Sequence, residues 1–207
     1  PAQFVESIGW FVWLSSASYR KFGPYQMLIE GGVPATADYD GDGKADPAQY
    51  QPATGSLYCW LSSANYMNAA QAGPFMVAEN GGQFVPADYD GDRLADPALY
   101  VPSSGTLFIW ISSSNYLRVQ TGPFSFNQGM PAMADYDGDR LADPALYQAG
   151  SGLWQVWLSG CGYAAVGPVG PFEFPESTPV SSDYDGDGLA DPALCQPASG
   201  MIVLWLS

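Results

Sequence analysis

This sequence predicts an all-β fold of tandem repeats, each about 48 residues long and built like a β-propeller blade. Three observations carry that expectation. An aspartate-rich pattern of nine residues occurs four times, starting at 38, 88, 135 and 183, so successive copies lie 50, 47 and 48 residues apart. Short runs of β-branched and aromatic residues alternate with Gly, Pro and Ser clusters, which is how strands and their turns read in a sequence. No run of ten or more residues carries an apolar period suited to a helix. Three or four short strands within 40–50 residues make one propeller blade, which buries its faces against its neighbours. The same pattern is also compatible with an open, linear β-repeat array in a filament.

Aligned on the aspartates, the chain divides into units 1–46, 47–96, 97–143 and 144–191 and a partial fifth, 192–207, read together as a single repeat domain over 1–207. Each unit opens on Pro-Ala, as at Pro1-Ala2, Pro47-Ala48, Pro97-Ala98, Pro144-Ala145 and Pro192-Ala193. A Ser/Gly turn follows, for instance Ala53-Thr54-Gly55. Next comes an apolar run closing on Trp and Ser: Trp10–Ser15, Leu57–Ser62, Leu107–Ser112, Trp154–Ser159 and Ile202–Ser207. A short polar segment, such as Ser62-Ser63-Ala64-Asn65, then leads to Tyr19, Tyr66, Tyr116 or Tyr163. A Gly-Pro-aromatic step recurs at Gly23, Gly73, Gly122 and Gly170, and the unit closes on its aspartate loop.

All sixteen aspartates of the chain lie in these loops. They are Asp38, Asp40, Asp42 and Asp46; Asp88, Asp90, Asp92 and Asp96; Asp135, Asp137, Asp139 and Asp143; and Asp183, Asp185, Asp187 and Asp191. Four carboxylates within nine residues repel one another unless a cation sits among them. Side chains at positions 1, 3 and 5, a backbone carbonyl at 7 and a carboxylate at 9 supply the six to eight hard oxygens that Ca2+ takes. The carbonyl donors are those of Lys44, Leu94, Leu141 and Leu189. Mg2+ prefers a tighter octahedron, and an all-oxygen set disfavours softer metals. About four Ca2+ ions, one per loop, are therefore expected. An EF-hand would need Glu at position 12 and flanking helices, but that position holds Gln49, Leu99, Leu146 or Leu194, and the Pro at position 10 favours an extended exit. Position 6 is Gly43 or Gly188 in two loops and Arg93 or Arg140 in the others. If it requires a positive φ, each Arg stores about 1–2 kcal/mol of strain and weakens its site.

The run Asp-Tyr-Asp-Gly-Asp-Gly-x-x-Asp-Pro-Ala, followed by Ser/Thr-Gly and a strand ending in Trp, resembles the FG-GAP, or VCBS-type, repeats. These occur in integrin α-subunit propellers, in many secreted bacterial proteins and in some lectins. The resemblance spans nearly the whole chain. It implies a β-propeller in which the aspartate loops bind Ca2+ at a blade edge, the role carried onto the sixteen aspartates above.

Composition narrows function. Net charge is −15, from 21 acids against 6 bases, which excludes a phosphate-directed nucleic-acid binder and an anionic-membrane partner. Histidine is absent, removing His-based acid/base and triad chemistry and most zinc sites. No apolar run approaches a membrane span, so no membrane insertion is expected. Cys59, Cys161 and Cys195 fall at different places in their units, so they form no repeated disulfide framework; one bridge plus a free thiol is open. Glu6, Glu30, Glu79, Glu173 and Glu176 do not recur in register, and no glycosidase pair is read from them. Trp13, Trp60, Trp110, Trp157 and Trp205 read as core between blades, with sugar-binding clefts as the rival; the Ser-rich segments read as plain surface turns, with polar contacts to a hydroxyl-rich ligand as the rival.

The expectation is a non-enzymatic, secreted or cell-surface calcium-binding repeat protein, acting as an adhesion, scaffold or self-assembling module. A carbohydrate-binding lectin propeller and an accessory propeller of a larger secreted enzyme are the alternatives. A glycan or cell-surface ligand and self-association through 192–207 are the partners expected. The start at Pro1 and the stop within a unit read either as a segment of a longer repeat protein or as an open strand edge that joins a neighbouring copy.

Overall fold

Each aspartate loop lies inside a sheet, between two of its strands. In the computed structural model the described residues are 2–14, 18, 20–78 and 81–207. The expectations placed on Pro1, Ser15, Tyr19, Glu79 and the Trp13 side chain lie outside them. The fold is all-β, with five small antiparallel sheets of propeller-blade type and only short 3-10 turns as helical structure among the described residues.

Two compact units are distinguished, Pro1–Met76 and Val77–Ser207. The first holds the three-stranded sheet β1 (Ala2–Val5), β2 (Gly9–Leu14) and β3 (Arg20–Tyr25). It also holds a four-stranded sheet of β4 (Val33–Pro34), β5 (Ala48–Gln51), β6 (Ser56–Trp60) and β7 (Ala69–Ala72). The second contains β8 (Gln83–Phe84), β9 (Ala98–Val101), β10 (Thr106–Ile111) and β11 (Leu117–Thr121) as one sheet. Next is β12 (Met130–Pro131), β13 (Ala145–Gln148), β14 (Leu153–Leu158) and β15 (Ala164–Val169). The last sheet is β16 (Thr178–Pro179), β17 (Ala193–Gln196) and β18 (Met201–Leu204). The partial fifth repeat, 192–207, thus belongs to a sheet that it shares with the end of the preceding repeat.

The repeat's chemistry explains this order. The proline after each ninth-position aspartate has no N–H to leave unpaired as a strand begins, while its carbonyl extends the ladder. Pro47, Pro97, Pro144 and Pro192 accept the N–H of Trp60, Trp110, Trp157 and Trp205 at 2.8–3.0 Å. The first long strand then turns back at a glycine with positive φ, such as Gly105 at 68°. The Gly-Pro-aromatic step sends its Phe inward. The N–H of Phe75, Phe124 and Phe172 donates to Gly55, Gly105 and Gly152, and their carbonyls accept the hydroxyls of Tyr50, Tyr100 and Tyr147.

Burial of these aromatics builds the core. In the second unit Phe124 packs on Trp157, with ring centroids 5.4 Å apart, and Phe172 on Trp205 at 5.1 Å. Each pair joins one sheet to the next, as does Leu146, which packs with Tyr100, Leu107 and Ile109, and Leu194, which packs with Tyr147 and Trp154. Leu107, Leu146 and Leu194 are at most 1% exposed, worth about 1.5–3 kcal/mol each. Trp60 and Trp110 are buried too. Trp157 and Trp205 pack against the core clusters while staying half-buried.

Candidate metal centres

The loop geometry begins with its first aspartate. In the loop that starts at Asp38, Oδ1 accepts the N–H of Gly41 at 2.7 Å and Oδ2 that of Gly43 at 2.8 Å. Asp88, Asp135 and Asp183 repeat both bonds with the residues at positions 4 and 6. Aiming the position-6 N–H at the first carboxylate turns that residue to positive φ: 81° at Gly43, 93° at Gly188, and 74° at both Arg93 and Arg140. The two arginines therefore sit in the left-handed region, which the sequence made conditional. Asp40 and Asp42 each accept the N–H two residues on, as do their counterparts in the other loops. A carboxylate oxygen has two lone pairs, so one N–H per oxygen leaves room for an ion.

The ninth-position aspartates are different. Asp46, Asp96, Asp143 and Asp191 have no exposed surface, whereas the others are at least partly exposed. Each spans two backbone donors. Asp143 Oδ2 accepts the N–H of Tyr136 at 2.9 Å, and its Oδ1 that of Ser159 at 2.7 Å. Asp46, Asp96 and Asp191 do the same with Tyr39 and Ser62, Tyr89 and Ser112, and Tyr184 and Ser207. The loop is thereby pinned to the end of the Trp strand, and the serine leaves the strand because its N–H serves the carboxylate.

These serines are partners of the aspartate loops that sequence reasoning read first as plain turns. Ser62 Oγ donates to Asp42 at 2.6 Å and Ser63 Oγ to Asp40 at 2.6 Å. Ser112 and Ser113 reach Asp92 and Asp90 in the same way. Recurrence of Ser two residues after Trp, in register with every aspartate loop, was the signal that could have revealed them.

Where oxygens converge, the loops fall into two patterns. One carboxylate oxygen from each of Asp38, Asp40 and Asp42 lies within 4.8 Å of the others. In the remaining loops the converging set is the first, third and ninth: Asp88, Asp90 and Asp96; Asp135, Asp137 and Asp143; Asp183, Asp185 and Asp191. Four clusters thus have the spacing needed to hold a metal ion. The first differs chemically as well: Lys44 Nζ pairs with Asp42 Oδ2 at 2.7 Å, holding that carboxyl below its ordinary pKa and raising the Lys44 ammonium.

Crowding elsewhere shows in the opposite direction. Burial, partly offset by N–H donors, pushes Asp46, Asp88, Asp96 and Asp143 above the usual carboxylate range, and neighbouring carboxylates add to it. At Asp191 burial also pushes upward, but the donors from Ser207, Tyr184 and Asp185 outweigh it, and the carboxyl falls. Cys59, Cys161 and Cys195 are free thiols.

No protein-family model matches the chain, and a comparison with curated proteins finds no relative.

Proposed function

We propose that the chain is a non-catalytic, calcium-stabilised β-repeat module that works outside the cell as an adhesion, scaffold or assembly element. The observation carrying this reading is the convergence of three carboxylate oxygens in each of four loops. The donor set is oxygen only, which suits a hard cation, and recurrence of a three-carboxylate cluster in all four loops argues for one ion type throughout. Positions 1, 3, 5 and 9 would supply carboxylates, and the carbonyls of Lys44, Leu94, Leu141 and Leu189 would complete each shell. Ions of charge +2 offset up to about half of the sixteen negative charges, so binding free energy becomes folding free energy. Millimolar extracellular Ca2+ fills sites of modest affinity. Assembly is supported by β18 at a sheet edge, with Met201, Leu204 and Leu206 exposed.

The deciding measurement is thermal melting in 2 mM EDTA and in 2 mM Ca2+, with metal content by mass spectrometry after dialysis. A melting temperature higher in Ca2+ and about four Ca2+ per chain are expected. Equal melting curves together with no retained calcium would end the proposal. Sedimentation of wild type against Met201→Lys tests assembly: concentration-dependent association that the substitution abolishes is the expected result.

A further inference from the structure

Within Val77–Ser207, adjacent aspartate loops touch through their backbones. The N–H of Ala142 donates to the carbonyl of Asp88 at 2.7 Å, and that of Ala190 to the carbonyl of Asp135 at 2.6 Å. Each bond runs from position 8 of one loop to position 1 of the loop before it. A side-chain contact accompanies each: a Cβ built on Gly91 would lie 3.1 Å from Leu141 Cδ2, and one on Gly138 3.0 Å from Leu189 Cδ2. The leucine at position 7 therefore lies over the glycine at position 4 of the preceding loop. Lys44 occupies position 7 in the first loop, where its ammonium turns back to Asp42 instead.

The peptide unit makes this junction more than packing. The carbonyl of Leu141 and the N–H of Ala142 are two ends of one rigid, planar group. The carbonyl end is the position-7 oxygen assigned to the ion of its own loop; the N–H end holds Asp88, whose carboxylate is the first ligand of the preceding loop. The Leu189–Ala190 peptide stands in the same relation to Asp135. An ion drawing on the carbonyl polarises the group, strengthens its N–H as a donor and fixes its plane.

We infer that calcium uptake by the three loops of Val77–Ser207 is cooperative, relayed from each loop to the one before it through the Leu141–Ala142 and Leu189–Ala190 peptides. This rests on the calcium reading above and adds a regulation to it. Because coupling is reciprocal, filling the loop at Asp88 also favours the loop at Asp135, which in turn favours the loop at Asp183. Steeper uptake would turn a modest change in calcium concentration into a nearly all-or-none stiffening of the three sheets.

The test is a Ca2+ titration of the full chain followed by 15N NMR at the Gly91, Gly138 and Gly186 amides. Each donates to the first aspartate of its own loop, so the largest change in its shift follows filling of that loop. In wild type the three curves should superimpose, with a Hill coefficient above 1. Asp137→Asn/Asp139→Asn disables the middle loop through exposed ligands. It should raise the Ca2+ midpoint at Gly91 by about 5- to 20-fold, within the usual range of coupling energies. A shift under twofold, with Gly91 still responding to Ca2+, overturns the relay and leaves the calcium reading standing. No response at any of the three glycines in wild type overturns the calcium reading and the relay together. Hydrogen exchange on wild type gives a second readout independent of any variant. Exchange of the Ala142 and Ala190 amides should slow at least tenfold on adding Ca2+, and unchanged exchange with calcium bound refutes the relay.

Discussion

Asp143→Asn, measured in EDTA, separates the architectural role of the ninth aspartate from any role in ion binding. Asp143 has no exposed surface, and its two oxygens serve two backbone donors, Tyr136 N–H and Ser159 N–H. Asparagine retains one acceptor oxygen but turns an NH2 group toward the other donor. The loss is one hydrogen bond to a charged group, about 1.5–3 kcal/mol, together with an unpaired N–H at a buried position. Relief of carboxylate burial, which raises the Asp143 pKa, returns part of this. A net destabilisation of about 2 kcal/mol follows, or roughly 5–10 °C in Tm for a unit of this size. The control is Asp137→Asn at position 3 of the same loop, an exposed carboxylate whose Oδ1 accepts only the long 3.2 Å bond from Asp139 N–H. Without metal it should cost about 0.5 kcal/mol. With Ca2+ present it should lose stabilisation that wild type gains by mass action, about 2.7 kcal/mol at a hundredfold excess over Kd. Urea unfolding of both variants with and without EDTA decides the matter. The reasoning fails if, in EDTA, Asp143→Asn is no more damaging than Asp137→Asn.

Other perturbations follow from the same geometry. Arg140→Gly relieves about 1–2 kcal/mol of left-handed strain but loosens the unfolded chain by about 0.5–1 kcal/mol, so urea unfolding should show a gain of roughly 0.5–1 kcal/mol; destabilisation would refute strain at that position. Gly122→Ala should cost at least about 2 kcal/mol, because φ is 117° and the added Cβ would meet Gly105 O at 2.7 Å; an unchanged melting curve would show that the approach is not tight. Cys59 is buried, and burial followed by the negative charge of Asp46 pushes its thiol up to about 12 from 9.0. The folded thiol therefore keeps its proton where the unfolded one releases it. That contribution is fully present below pH 9 and is lost as pH rises toward 12, by up to about 1.4 kcal/mol per pH unit. Urea unfolding under reducing conditions should show a larger loss between pH 8.5 and 10.5 for wild type than for Cys59→Ala; equal losses would contradict the burial.

Local chemistry was legible in the residues themselves. The aspartate spacing, Pro at position 10, turn glycines and Trp-ending strands are each short-range patterns, and they specify the loops, the strands and an all-β repeat without knowledge of any partner. Even the conditional strain at Arg93 and Arg140 was readable, because it depends only on the φ of one residue.

What needed the tertiary structure is whatever joins residues far apart in the chain. The repeat boundary drawn after each ninth aspartate suited the alignment, yet the sheets straddle it: short strands such as Val33–Pro34 pair across the loop with Ala48–Gln51. The four equivalent-looking aspartates of each loop divide into exposed carboxylates and one buried pin, because only folding brings the serine N–H sixteen residues later against the ninth. Serines that were ordinary turn formers by sequence became partners of the loop for the same reason. The peptides shared between neighbouring loops carry no side-chain signature, since a backbone N–H meeting a backbone carbonyl is the same chemistry in every residue. Sequence determined which groups could bind an ion; the pairing of strands within each sheet, and the packing of neighbouring sheets of Val77–Ser207, determined which of them also hold the structure together.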